Sequence, residues 1–475
     1  MNISREKRVA LDRLKLTQQY SWLLDAFILD FYTENHWESL PATWRHVLSQ
    51  VSLEELGEWM AMKEGSTSRV WPLSLLALRS ASKALSLSRE QQCSSEETKE
   101  NENIASSLKE QRAGAKTDCL LHKNLKNLFV KHVKPKKRHE TMVMAKQCAE
   151  TALRSGISCV VDVGGGKGHL SRLLAYGYGL RVCCVEAQGD LVSSAKEIDK
   201  QIEYSALKYL DDSYVQNLPR PEYVVMTVAN TGDALDQFRK EVFDKIRNSP
   251  EENVSFGIVG LHPCGDLAAT MLHLFSNLNE AKFICIASCC YMKLTINKCD
   301  KVKGYPLSQF YQSLPKSLTN LSYEALEVSC HAIEVYCQKL QLQQYNTLKI
   351  HCYRAALEKL IVKYRPDLKH SGLRSVKHFD KMDFPSYAIN ALDRIGVVIP
   401  LSDLNSSETV ERLHRWKDVV IFYSLRLLLA PLVESAVIID RLFFVHEKGA
   451  LGNVIPGFDP VVSPRNLMLQ GIKLY

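Results

Sequence analysis

The sequence predicts an α/β fold: an open, mostly parallel sheet covered by helices, with a helical N-terminal region and a helical insertion before the last strands. Three observations carry this. From residue 157 the texture alternates strand, glycine-rich turn and helix, the alternation that builds a parallel sheet. Over residues 8–85 apolar positions such as Leu11, Leu14, Leu16, Leu23, Leu24, Phe27, Ile28 and Phe31 recur at a helical period. Residues 300–430 are again mostly helical, and strand texture returns only after them.

The elements follow in order. Pro41 and Pro72 divide the helical region 1–85. Residues 86–118 form a Ser/Glu-rich insertion, and within it residues 94–103 contain no large apolar side chain, so a flexible segment is expected. A basic stretch with Lys131, His132, Lys134, Lys136, Lys137, Arg138 and His139 precedes a helix at 140–154. The core is expected at 119–299. It has strands at Cys159–Val163 and Arg181–Glu186 and further strands near 223–229, 255–261 and 282–288, with helices at 169–176 and 191–200 between the first ones. Helices at 322–341 and 346–364 lie in the insertion 300–430. Residues 431–475 are expected to complete the sheet with strands at 436–446 and 466–474.

Composition bounds the rest. With 475 residues, 46% hydrophobic and 24% charged, the chain has room for about 2 to 3 globular domains. A net charge of +7 permits contact with RNA without arguing for it. The first residues lack the apolar core of a signal peptide, which favours cytoplasm or nucleus. The Pro-Lys-Lys-Arg run at 135–138 fits either a nuclear-import signal or a phosphate-facing patch. The 14 cysteines contain no C-x-x-C pair and are expected to be reduced. Cys285, Cys289, Cys290, Cys299 and His331 match no familiar zinc spacing, so no metal is expected. The apolar run 419–433 is too short for a membrane helix and contains Arg426, so no membrane span is expected.

The most informative segment is VVDVGGGKGHLSRLLA at 160–175. Apolar strand residues lead to Asp162, and Gly164, Gly166 and Gly168 then fall at every second position before an amphipathic helix. Glycines there allow a tight turn and close approach of a ligand to the backbone. The dinucleotide fingerprint is excluded, because it would need glycine where His169 stands. The pattern D-x-G-x-G-x-G instead resembles the first motif of class I S-adenosylmethionine methyltransferases, which have a Rossmann-like sheet. Glu186 closes the next strand, where a carboxylate would accept hydrogen bonds from the two ribose hydroxyls of such a cofactor. Asn230, after the third strand, is a further cofactor candidate.

The fourth and fifth strands end in GLHPCGDLA and ASCCYMKL, and strand ends near the switch point of a doubly wound sheet face the ligand. Asp266, then His262 and Tyr291, are candidates for positioning or deprotonating an acceptor. Cys264, Cys289, Cys290 and Lys293 are candidates to line its pocket. Asp266 fits equally the N-cap of the helix that follows.

Together with GYPLSQ, HCYRAALE, LLLAPLVE and SPRNL, these motifs are similar to those of the methyltransferase-like protein 25 family, from about residue 8 to the C-terminus. Within that family the chain resembles the branch named for ribosomal RNA adenine dimethylases. The resemblance implies a methyltransferase that uses S-adenosylmethionine and leaves its acceptor open. Adenine dimethylases carry Asn-[Leu/Ile]-Pro-[Tyr/Phe] at the fourth strand end, where this chain has Leu261, His262, Pro263 and Cys264. The His-x-Cys-Gly and Cys-Cys pair resembles more distantly a type of transfer-RNA 2′-O-methyltransferase, with Tyr291 and Met292 replacing two histidines. RNA is therefore the expected acceptor; a protein acceptor and a non-catalytic scaffold are the alternatives.

Overall fold

The computed structural model describes residues 3–62, 69–91, 129, 133–229, 231–249, 252–296, 304–371, 373 and 376–474. Two compact units emerge, one from residues 1–87 with 321–436 and the other from 88–320 with 437–475.

The second unit holds a seven-stranded sheet in the order β3-β2-β1-β4-β5-β7-β6. Its strands are β1 (Cys159–Val163), β2 (Arg181–Glu186), β3 (Pro221–Val225), β4 (Phe256–Cys264), β5 (Ala281–Cys289), β6 (Ala450–Pro456) and β7 (Leu467–Lys473). The first five are parallel, and β7 runs antiparallel to both β5 and β6. This is the class I methyltransferase sheet that the sequence predicts. The order grows outward from β1 to β3, then restarts at β4 on the other side of β1, so the switch point lies between β1 and β4.

β1 is buried at every residue, which explains why it is apolar except at Asp162. One face of the sheet packs Val161, Val185, Ile258, Met271 and Phe275. The other packs Val160, Val182, Val259 and Phe283 against Met144, Cys148 and Leu174.

The other unit is helical. The Ile350–Tyr364 and Phe384–Leu392 helices bury Leu357, Ile361, Phe384 and Leu392. Ser322, Asp383 and Ser406 start helices by accepting backbone N–H bonds from Ala325, Ser386 and Thr409, as good N-caps do. The 322–341 helix expected as one piece is broken into Tyr323–Val328 and Ile333–Gln341.

Two further expectations are corrected. The helical N-terminal region and most of the insertion 300–430 make one compact unit, because each carries amphipathic faces that need covering; residues 300–320 go with the sheet. Residues 436–446, expected as a strand, lie in the Ala430–Glu447 helix, and β6 begins only at Ala450. That run is apolar on nearly all sides because it is buried, and a fully buried helix loses its period. The Ser/Glu-rich insertion falls outside the described residues from 92 onward. Among the described residues no helix is long and apolar enough to cross a membrane.

Candidate functional site

The site is built at the carboxyl ends of β1, β2, β4 and β5. Gly164, Gly166 and Gly168 all have positive φ, at 73°, 59° and 68°, which L side chains rarely adopt. One side of the loop is packed: a Cβ on Gly165 would stand 2.4 Å from Cys184 Sγ, and one on Gly168 would stand 2.6 Å from the Tyr223 hydroxyl. The other side is open, with nothing within 4 Å of a Cβ on Gly166.

Glu186 is tied to that loop. Gly166 N–H donates to its Oε2 (2.9 Å) and Gln188 N–H to its Oε1 (3.0 Å). Each carboxylate oxygen has two lone pairs, so both keep capacity for a further donor. Asp162 lies beneath, 1% exposed, and accepts the Ser171 hydroxyl at Oδ2 (2.6 Å). Burial pushes its carboxyl up to about 6, with the Ser171 bonds opposing. The helix after the loop is anchored by Arg172, whose guanidinium pairs with buried Asp199 and donates to Lys167 O (3.1 Å). Asp199 also receives the Tyr223 hydroxyl. Ser171, Arg172, Asp199 and Tyr223 thus hold the loop in shape. Sequence reasoning passed over them because Ser and Arg within a helical run carry no periodic signal.

At the end of β4 the register with β5 shifts between Leu261 and Cys264, and His262 takes φ 66°. In this bulge His262 Nε2 lies 2.9 Å from Oε2 of Glu140, a buried residue of the Pro135–Arg154 helix. Ser463 donates to the other oxygen (2.6 Å). Burial would raise the Glu140 carboxyl, but His262, Ser463 and Lys136 outweigh it and hold it low.

Beyond the bulge Cys264 pairs with Cys289, and the thiols of Cys264, Cys289 and Cys290 converge. Hydrogen bonding to Cys289, opposed by burial and aided by Cys290, Lys293 and His262, pushes the Cys264 thiol down to about 5.

The remaining candidates are distributed differently. Asp266 is half-buried; its Oδ1 accepts Thr295 N–H (2.8 Å) and its Oδ2 the Thr295 hydroxyl (2.5 Å). It makes no side-chain cap to the Leu267–Asn277 helix. Tyr291 is fully buried, with the Arg441 guanidinium 5.9 Å from its ring centroid. Arg441 itself is buried, and its Nε and Nη1 have no hydrogen-bond partner among the described residues. Lys293 is exposed. Asn230 and Cys299 lie outside the described residues, and His331 belongs to the helical unit.

The described part of the basic stretch opens the Pro135–Arg154 helix. Lys134, Lys137 and Arg138 are exposed there, and Lys137 acts electrostatically on both Asp162 and His169. In the second turn of the same helix Glu140 holds His262, so this positive end borders the strand ends.

Residues 136–297 match the model of a methyltransferase domain family. The chain carries a methyltransferase domain. The match runs from the basic helix past β5 and encloses the glycine loop, Glu186 and both cysteine-bearing strand ends. Probable methyltransferase-like protein 25 of Homo sapiens is 23% identical over 72% of this chain and 75% of its own length. Its Mus musculus counterpart is 22% identical over 72% and 76%. Both agree with the family resemblance read from the sequence. Among solved structures, a plantazolicin methyltransferase in complex with SAH is 10% identical over 66% of this chain and 94% of its own, at a TM-score of 0.21. Coclaurine N-methyltransferase bound to N-methylheliamine and SAH is 12% identical over 90% and 95%, at a TM-score of 0.25. These overlaps are too low to bear on the site. The sheet, the glycine loop and the matched domain agree on S-adenosylmethionine as the cofactor.

Proposed function

We propose that this chain transfers a methyl group from S-adenosylmethionine to RNA. The observation that carries the acceptor is the positive start of the Pro135–Arg154 helix, which borders the glycine loop and the end of β4. Exposed Lys134, Lys137 and Arg138 suit a phosphate backbone led toward the strand ends.

When bound, S-adenosylmethionine supplies an electrophilic methyl group on a sulfonium. The residues fit it: the open side of Gly166 admits a ligand to the backbone, and Glu186 keeps lone pairs for the ribose hydroxyls. Asp162 acts from below, fixing the loop through Ser171. Methyl transfer is an in-line displacement, so the chain's main task is to hold an acceptor atom about 3 Å from the methyl carbon and exclude water. His262 is the group placed to position or deprotonate an acceptor, because Glu140 fixes its ring. Asp266 and Tyr291 act one layer behind, Asp266 by holding the 290–295 loop through Thr295 and Tyr291 by filling the wall in front of Arg441. Cys264, Cys289, Cys290 and Lys293 line the acceptor side.

The test is methyl-labelled S-adenosylmethionine offered with total RNA and with total protein. Label in RNA, with RNA affinity falling steeply as salt rises, is the expected result. Label in protein alone would move the acceptor to protein. Label in neither, with cofactor bound, would favour a scaffold.

A further inference from the structure

The thiols of Cys264, Cys289 and Cys290 form a nearly equilateral triangle, with Sγ separations of 3.3, 3.4 and 3.5 Å. Among the described residues they are the one set of three His, Cys, Asp or Glu side chains whose ligand atoms gather so closely. The fold works to bring them together. Cys264 and Cys289 face each other across β4 and β5 only because the bulge at His262 shifts the register. Cys290 adopts φ 50°, a left-handed conformation that residues other than glycine rarely take.

Hydrophobic packing does not explain this convergence. Cys183, Cys184 and Cys285 are fully buried among apolar neighbours, as inert thiols are, whereas Cys264 is exposed and Cys290 half-buried. A disulfide would join two sulfurs and leave the third outside, while the three separations here are nearly equal. Three sulfurs about 2.3 Å from a shared tetrahedral ion stand about 3.8 Å apart, so the triangle needs to open by only a few tenths of an ångström.

We propose that Cys264, Cys289 and Cys290 bind a single zinc ion at the carboxyl ends of β4 and β5. The ion replaces the thiol protons, which leave to solvent, and forms three Zn–S bonds. Three protein ligands leave a fourth position, the ligand count of zinc sites that exchange water for another donor. Lys293 and the buried Arg441 supply positive charge to the thiolates. The site stands independently of the acceptor assigned above.

The experiment uses the full chain, purified without a metal-binding tag and loaded with zinc chloride before desalting. Elemental analysis is expected to give about one zinc per chain. Cys264→Ser and Cys290→Ser are expected to fall to background, and Cys183→Ala, at a buried thiol on β2, to retain the metal. In wild type, where no variant can misfold, zinc is expected to protect these three thiols from iodoacetamide, and a chelator to expose them. Background zinc in folded wild type, retention in both site variants, or a disulfide between any two of the three would overturn the proposal. Calorimetry with S-adenosylmethionine on the same samples separates failure here from failure of the methyltransferase reading.

Discussion

Neighbouring glycines of the loop have different duties. A methyl group on Gly165 would collide with Cys184 Sγ and Asp162 Oδ2, whereas one on Gly166 meets only open space and a backbone of positive φ. Gly165→Ala is therefore predicted to destabilise the fold by about 1–3 kcal/mol, the usual range for overpacking. Gly166→Ala is predicted to cost about 1–2 kcal/mol in backbone strain and to weaken cofactor binding more than Gly165→Ala does in the fraction that folds. Denaturant titration beside cofactor titration checks both, and equal effects of the two changes on both readouts would count against the assigned faces. Asp162 adds a pH signature. Burial holds its carboxyl at about 6, above the ordinary 3.8, so between these values the folded chain binds the proton more strongly than the unfolded one. Stability contributed by this group therefore falls as pH rises. Relative to Asp162→Asn, wild type is predicted to lose stability from about pH 4 to about pH 6 and to level off above. A difference independent of pH would show that the carboxyl is not so perturbed.

At the scale of elements, the Pro135–Arg154 helix joins recognition to chemistry. Its first turn is positive and exposed, and Glu140 reaches His262. Replacing Lys134, Lys137 and Arg138 with alanine is predicted to weaken RNA binding across sequences and to reduce the salt slope by about 0.7 for each lost phosphate contact on single strands. An unchanged slope would place RNA elsewhere or exclude it. Elements also show what the sequence made legible. β1 and β2 were bounded correctly because an apolar strand meeting Gly164, or ending at Glu186, leaves one reading. Residues 436–446 misled because a helix buried all round reads as apolar without period. Cys264, Cys289 and Cys290 were expected around one pocket, but their closing into a triangle was not, because it needs the bulge in β4, which leaves no spacing motif.

For the molecule as a whole, the order of the sheet places the glycine loop, Glu186 and the ends of β4 around one switch point. The glycine motif and Glu186 could be read in advance because a βαβ unit fixes where its turn and its second strand end must fall. The supports behind them could not: Glu140 and Arg441 find partners far along the chain, and Arg172 and Asp199 sit within helical runs whose polar positions carry no periodic signal. The central claim is a cofactor site at that switch point. The most direct measurement is calorimetric binding of S-adenosylmethionine to the purified chain beside a folded Glu186→Ala variant. Saturable binding by wild type, weakened about tenfold to a hundredfold in the variant as charged hydrogen bonds of about 1.5–3 kcal/mol are lost, is the predicted result. Folded wild type that takes up no S-adenosylmethionine, or a Glu186→Ala variant that binds it equally well, would contradict the account.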